Sequence, residues 1–255
     1  MNLPQLLEQT FVQRVDWQAS VPSTNSVALQ STNVVDDLPW LIGANEQTQG
    51  RGRGKNSWWA CSGSLTFSLV HRPSDSGIVK RQWPQISLTV GLAVTEMVSE
   101  LLPGHCVQLK WPNDVYVDGR KIAGILIETM PQHDDLVVTG IGMNLNNSLA
   151  DAPHEIQDTA IAACDVVGEM LDPTRAMVSL LNHLDRELRL LGEEDPTLSE
   201  RLRERCFLTG KTVTISNSGS DVTGTCDGID DDGALRITTP SGPKRFHSGT
   251  VTVQE

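Results

Sequence analysis

The strongest constraint on the fold is a change of apolar period at Pro103-Gly104. Before it, Ile86, Val90, Ala93, Val94, Met97 and Leu101 recur at the spacing of one helix face. Pro84 suits the first turn of that helix, where its missing N–H loses no hydrogen bond. After it, residues 107–111, 114–117, 121–128 and 136–144 read as four strands. The turns Pro112-Asn113-Asp114 and Asp118-Gly119 separate the first three. Upstream, the spacing predicts a helix over residues 24–30 capped by the Ser23 hydroxyl, and strands at 40–44 and 64–71.

Downstream, Asp172-Pro173 opens a long amphipathic helix with Met177, Leu180, Leu181, Leu184, Leu188 and Leu191 on one face. A second helix, near residues 198–206, follows Pro196. The character then shifts. Short strand candidates at 211–215, 222–227, 234–238, 244–247 and 251–253 are separated by Gly, Asp, Ser and Pro. Such spacing predicts a small β barrel of about 45 residues. The expected boundary lies near residue 207, dividing the chain into 1–206 and 207–255.

The 255 residues suffice for one large domain and a small one, and 38% hydrophobic content marks a globular chain. No apolar run approaches the ~20 residues that cross a bilayer, and residues 1–10 lack the basic and apolar regions of a secretory signal. The cytoplasm is therefore the expected compartment, with no membrane partner. Cys61, Cys106, Cys164, Cys206 and Cys226 are odd in number and show no C-x-x-C pair, which argues against a disulfide framework and a zinc site. The formal charge of −12 argues against a general DNA or RNA binder, which needs Lys and Arg spread over a face.

Against that acidic background one segment stands out. In Gln-Thr-Gln-Gly-Arg-Gly-Arg-Gly-Lys-Asn-Ser-Trp, residues 47–58, Gly50, Gly52 and Gly54 alternate with Arg51, Arg53 and Lys55, and Trp58 follows. No Lys or Arg occurs between Arg14 and Arg51. Glycine permits close backbone approach and positive φ, and consecutive N–H groups in such turns make anion-binding concavities. Arginine adds a planar donor fork suited to phosphate and carboxylate. The segment reads as a clamp for one small anion, with an RNA-contacting or merely flexible surface loop as the competing readings. Cys61 beside it offers a thiol, although isolated cysteines usually behave as small hydrophobes.

Three further elements carry chemistry. Ser23-Thr24-Asn25 is a helix cap or a polar binding element. Lys110-Trp111-Pro112-Asn113-Asp114 is followed by Gly119-Arg120-Lys121-Ile122-Ala123-Gly124-Ile125-Leu126-Ile127-Glu128, in which Lys121 opens an apolar strand. A buried ammonium needs a partner, so Lys121 faces an anion site or else snorkels to water. In Gly140-Ile141-Gly142-Met143-Asn144, two glycines two apart leave a flat strip on which a ring can lie.

In order and spacing these elements resemble the biotin protein ligases, also called holocarboxylase synthetases, from residue 22 onward. Gly224, Gly228-Ile229-Asp230 and Gly233-Ala234-Leu235 look like that family's C-terminal SH3-like β barrel. The resemblance implies an α+β catalytic fold shared with class II aminoacyl-tRNA synthetases and lipoate ligases, with a mixed, largely antiparallel sheet. It also implies two chemical steps. The carboxylate of biotin attacks the α-phosphate of ATP, giving biotinyl-5′-AMP and pyrophosphate. A lysine of a biotin carboxyl carrier domain, in acetyl-CoA carboxylase or a related carboxylase, then takes the biotinyl group and releases AMP.

On the same resemblance, Ser23, Thr24, Asn25 and Gln47 address the ureido ring of biotin. Gly124, Gly140 and Gly142 wall it, while Gly50, Arg51, Gly52 and Arg53 hold the carboxylate and α-phosphate. Lys121 bridges the acyl phosphate oxygens. Trp58, Asn144 and Arg53 are expected on the nucleotide side, Mg²⁺ beside the departing pyrophosphate, and Asp114 as a metal or turn residue. The metal ligands are not specified. Such chemistry needs alignment and charge neutralisation and no protein nucleophile. Pro22, Lys55 and Asn56 depart from the usual family pattern, where Asp often precedes Ser-Thr-Asn and further arginines occupy the loop. The 22 residues before the motif are too few for the winged helix-turn-helix of ligases that double as repressors, so a ligase without DNA binding is expected. Exposed edge strands leave a homodimer open. The rival readings are a lipoate or octanoate ligase and a biotin-sensing module without turnover.

Overall fold

The computed structural model describes residues 1–31, 36–217 and 219–254. Its larger sheet has seven strands: β1 (Arg14–Val21), β2 (Trp40–Gln47), β3 (Leu65–His71), β4 (Val107–Lys110), β5 (Asp114–Val117), β6 (Arg120–Met130) and β7 (His133–Met143). Their order is β1-β2-β3-β7-β6-β5-β4. Among the described residues of this sheet only the β1–β2 pair is parallel, and the helix α2 (Thr24–Gln30) lies between those strands in sequence. Parallel neighbours need such a crossover, whereas tight turns suffice for antiparallel ones. The sheet is therefore mixed and largely antiparallel, as the resemblance implied.

One face of this sheet packs against α3 (Ile86–Leu101) and, behind it, α6 (Pro173–Gly192). The expected apolar stripe of α6 is buried throughout, from Met177 to Leu191. Each such large aliphatic side chain contributes about 2 kcal/mol on leaving water. Asp172 accepts from the N–H groups of Thr174 and Arg175, and Pro173 occupies the first turn, so the start of α6 is fixed as its sequence predicts. The helix expected from Pro84 begins later. Pro84 lies in a 3₁₀ turn, Lys80–Gln85, and α3 starts at Ile86. Helix α7 (Pro196–Glu204) overlaps the span expected near 198–206, starting at Pro196 and stopping two residues short of its end.

Two elements at the N-terminus had no clear pattern: α1 (Leu3–Gln9), capped by Asn2, and the edge strand β1. β1 is only partly buried along most of its length, so it lacks the alternation that marks a half-buried strand. The short helices α4 (His154–Gln157) and α5 (Ala163–Val167) are likewise below the length at which periodicity speaks.

The C-terminal strands β8 (Thr212–Asn217), β9 (Ser220–Ile229), β10 (Leu235–Thr239), β11 (Gly242–Phe246) and β12 (Thr250–Val253) match the five candidates within a few residues. They form one antiparallel sheet in the order β11-β10-β9-β8-β12. Among the described residues no ladder joins β11 to β12, so the sheet curls without closing as a hydrogen-bonded barrel. Its apolar face, including Val213, Ile215, Cys226 and Ile237, continues the main core. Trp111, 2% exposed, donates its indole N–H to the carbonyl of Gly233 at 3.1 Å across this junction.

Candidate functional site

A cleft of about 470 Å³ opens where the first turn of α2, the 50–58 segment, β6, β7 and the C-terminal sheet meet. One end is neutral. Ser23, Thr24 and Asn25 are each 3% exposed at the start of α2. The Ser23 hydroxyl makes no capping bond, contrary to the sequence expectation, and Ser23 instead lines the cleft. Gln47 Oε1 accepts from Thr24 N at 2.8 Å and from its hydroxyl at 3.3 Å. Ser68 Oγ lies 2.7 Å from Thr24 Oγ1 and 2.5 Å from Asn25 Oδ1. These bonds order a set of hydroxyls and amides that match a neutral polar ring better than an anion.

The other end is cationic. Lys121 Nζ pairs with Asp114 Oδ1 at 2.7 Å and lies 5.7 Å from the Trp58 ring centroid. Gly124 leaves room for that pair: a Cβ there would lie 3.3 Å from Lys121 Nζ and 3.5 Å from Asp114 Oδ1. Burial lowers the pKa of Arg53, and the Asp114 carboxylate partly opposes that shift. Lys110 also lines the cleft, with its pKa lowered by burial and raised back in part by Asp114. Three cations thus surround one carboxylate, an excess of positive charge suited to a polyanion.

The Gly-Arg segment is a hairpin. Trp58 N donates to Gly50 O at 2.9 Å, Gly52 N to Asn56 O at 2.8 Å, and Asn56 N to Arg53 O at 3.1 Å. Gly50 is needed at the neck because a Cβ there would strike the Trp58 carbonyl, and Gly54 turns the tip at φ +63°. These glycines serve the hairpin's own close approach, a reason the ligand-centred sequence argument missed. Arg53 Nη1 reaches the Gly249 carbonyl at 3.3 Å, tying the hairpin tip to the C-terminal sheet. Arg51 points the other way, to Glu128 Oε1 at 2.6 Å.

The expected flat strip on β7 exists, but this chain's own side chains lie on it. The Trp58 indole covers Gly142, and the Asn25 amide covers Gly140, so a Cβ at either glycine would clash with them. Trp58 Nε1 is buried with no hydrogen-bond partner among the described residues.

Of the residues expected at the site, Ser23, Thr24, Asn25, Gln47, Arg51, Gly52, Arg53, Trp58, Asp114, Lys121, Gly124, Gly140 and Gly142 all line this cleft. Gly50 sits at the hairpin neck outside the lining. Asn144 is also outside it: its amide donates to Ile161 O at 3.2 Å and accepts from Asn147 Nδ2 at 3.0 Å. A nucleotide contact through Asn144 would require this network to be given up. Burial raises the Cys61 pKa, which disfavours the nucleophilic thiolate.

Sequence reasoning gave no role to Lys110, Ser68 or Glu128, nor to the wall formed by Ser216, Ser248, Gly249, Thr250 and Val251. Glu128 left one signal, a carboxylate closing an otherwise apolar strand. The C-terminal wall left none, because small polar residues in turns look alike whatever they face.

Residues 17–146 match the Biotin/lipoate A/B protein ligase family. The chain belongs to that family. Residues 208–253 match the Biotin protein ligase C terminal domain. Among relatives of this ligase family, the biotin–[acetyl-CoA-carboxylase] ligase of Mycobacterium tuberculosis is 32% identical over 87% of this chain and 82% of its own length. The bifunctional ligase/repressor BirA of Bacillus spizizenii is 30% identical over 96% of this chain and 76% of its own. In structure, the biotin protein ligase of Aquifex aeolicus, solved in complex with biotin and ATP, superposes with a TM-score of 0.81 at 27% identity. That match covers 95% of this chain and 99% of the Aquifex ligase.

Proposed function

We propose that this chain is a biotin protein ligase that activates biotin with ATP and transfers it to a lysine of a biotin carboxyl carrier domain. The observation that carries the reading is the two-ended cleft, with a neutral polar end joined to a cationic end under one Gly-Arg hairpin. Ser23, Thr24 and Gln47 receive the ureido ring, and Asn25, seated over Gly140, completes that end. Arg51 and Arg53 draw the biotin carboxylate and the α-phosphate together, where like charges would otherwise repel. A carboxylate oxygen forms the new bond to phosphorus as the bond to pyrophosphate breaks.

Lys121 stabilises charge on the oxygens between the acyl carbon and phosphorus, within hydrogen-bond reach of Asp114. Trp58 forms a removable cover over Gly142 beside these atoms. In the second step a carrier lysine amine attacks the acyl carbon, and AMP leaves with the bonding electron pair. No protein nucleophile is consumed in either step.

Mg²⁺ fits the cleft in a limited way. Asp114 is the carboxylate that lines it, and Mg²⁺ favours few protein carboxylates together with phosphate oxygens and retained waters. When bound, it would screen the pyrophosphate charge. The division into residues 1–206 and 207–255 is part of the same proposal, with the second part supplying the far wall of the cleft. No helix among the described residues is long and apolar enough to cross a membrane.

The decisive experiment is biotin-dependent ATP–pyrophosphate exchange, followed by transfer to a purified biotin carboxyl carrier domain. Exchange driven by biotin and labelling of one carrier lysine are expected. Exchange driven by lipoate and not by biotin would overturn the reading, and biotin binding without ATP turnover would reduce the chain to a sensor.

A further inference from the structure

Glu128, on β6, faces two donors at once. Its Oε1 accepts from Arg51 Nη2 at 2.6 Å, and its Oε2 accepts from Asn25 Nδ2 at 2.9 Å. The two donors belong to different parts of the site. Arg51 is on the hairpin, and Asn25 is in the neutral pocket. Glu128 itself is not in the lining of the cleft. Its side chain is 22% exposed, so these charge-assisted bonds are partly shielded from water.

The Asn25 amide has a direction that matters. With Nδ2 held by Glu128 and by the Leu126 carbonyl at 3.3 Å, Oδ1 must face Ser68. Ser68 then meets Thr24, and Thr24 meets Gln47. A flipped Asn25 would present an oxygen to the Glu128 carboxylate and an NH₂ to Ser68 Oγ, reversing the polarity of the Asn25–Ser68 contact, while Gln47 stays fixed by the Thr24 backbone N–H. On the other oxygen, Glu128 anchors an Arg51 side chain that is 42% exposed and, among the described residues, has Ser26 Oγ at 3.4 Å as its one other side-chain hydrogen bond.

We propose that Glu128 is a positioning residue: it fixes the hydrogen-bonding polarity of the neutral pocket through Asn25 and tethers the Gly-Arg hairpin through Arg51. The proposal deepens the biotin-ligase reading and rests on it for the identity of the pocket's ligand. A carboxylate is the right group because both its oxygens only accept. Glutamine cannot replace it, since either orientation of its amide turns an NH₂ toward one of the two donors. Aspartate keeps the chemistry but is one methylene too short to reach both.

The test compares wild type with Glu128→Gln and Glu128→Asp. Measurements are KM for biotin, KM for ATP and kcat in pyrophosphate exchange, tryptic cleavage at Arg51 without ligands, and the circular dichroism melt. Folded Glu128→Gln should raise the biotin KM about tenfold, the worth of one charge-assisted hydrogen bond. Its ATP KM should rise less than its biotin KM, because Lys121, Arg53 and Lys110 gather around Asp114 and not around Glu128. Ligand-free cleavage at Arg51 should be faster. Glu128→Asp should shift the same quantities less. An unchanged biotin KM with unchanged cleavage would overturn the proposal, and so would an equal rise in both KM values, which marks general loosening.

Should Glu128→Gln fail to fold, Glu128→Asp decides by the same readouts. Absence of biotin-driven exchange in wild type would overturn the parent reading and the pocket half of the proposal. The cleavage comparison would still decide the tether.

Discussion

At Lys121 the sequence argument and the geometry meet most closely. An ammonium opening an apolar strand was expected to face an anion or to reach water, and Asp114 lies 2.7 Å from it. Substrate phosphate can compete for that ammonium because the pair lines an open cleft. Lys121→Ala should slow adenylate formation by about 10²- to 10³-fold, comparable to losing a preorganised donor to developing charge, with the circular dichroism spectrum unchanged. Near-normal exchange by that variant would remove Lys121 from the chemistry. His71 shows the opposite use of burial. It is 4% exposed between β3 and β7, its Nε2 lies 3.0 Å from Thr139 Oγ1, and burial lowers its pKa from 6.5 to about 4. Between those values the unfolded chain binds a proton that the folded chain refuses, so stability rises with pH there. The contribution is complete above the unfolded pKa and is lost as pH falls toward about 4. The loss is roughly 3 kcal/mol at most. Urea unfolding at pH 7 and pH 5 should show a smaller acid penalty for His71→Gln than for wild type, and equal penalties would contradict this assignment.

Among the elements, the hairpin over residues 50–58 was legible in composition but not in shape. Alternating Gly and Arg announced an anion site, yet the backbone bonds from Gly50 to Trp58 and from Gly52 to Asn56 depend on a turn that composition leaves open. The long helix α6 was legible down to its cap because Asp172, Pro173 and a leucine stripe all point one way. β1 was not, since an edge strand that buries little has no period to read. Few bonds tether the hairpin, and both of its arginines hold contacts that a ligand anion can replace. Limited trypsinolysis should cut at Arg51, Arg53 and Lys55 in the free protein and be suppressed several-fold by biotin plus ATP, as expected when ligand orders a segment. Equal cleavage with and without ligands would argue that the hairpin does not close over them.

For the molecule as a whole, the change of strand spacing predicts a boundary near residue 207, and it leaves no sign of the core and cleft shared between the residues on either side. Apolar side chains of the C-terminal sheet belong to the same cluster as α3, α6 and the large sheet, and Trp111 bonds to Gly233 across the junction. Contacts between elements far apart in sequence leave no local pattern. Unfolding should therefore be cooperative over both parts. Tryptophan fluorescence and far-ultraviolet circular dichroism should give one coincident urea transition, and two separated transitions would show that the parts fold independently. The cleft draws its lining from Ser23 through to Val251. A chain leaves the ribosome N-terminus first. The hairpin and the Ser-Thr-Asn turn are thus synthesised well before β12, which closes the wall beside Arg53. A nascent or truncated chain would carry Arg53 without the Gly249 carbonyl it rests on, so the far wall of the cleft is complete only once the last strand has been made.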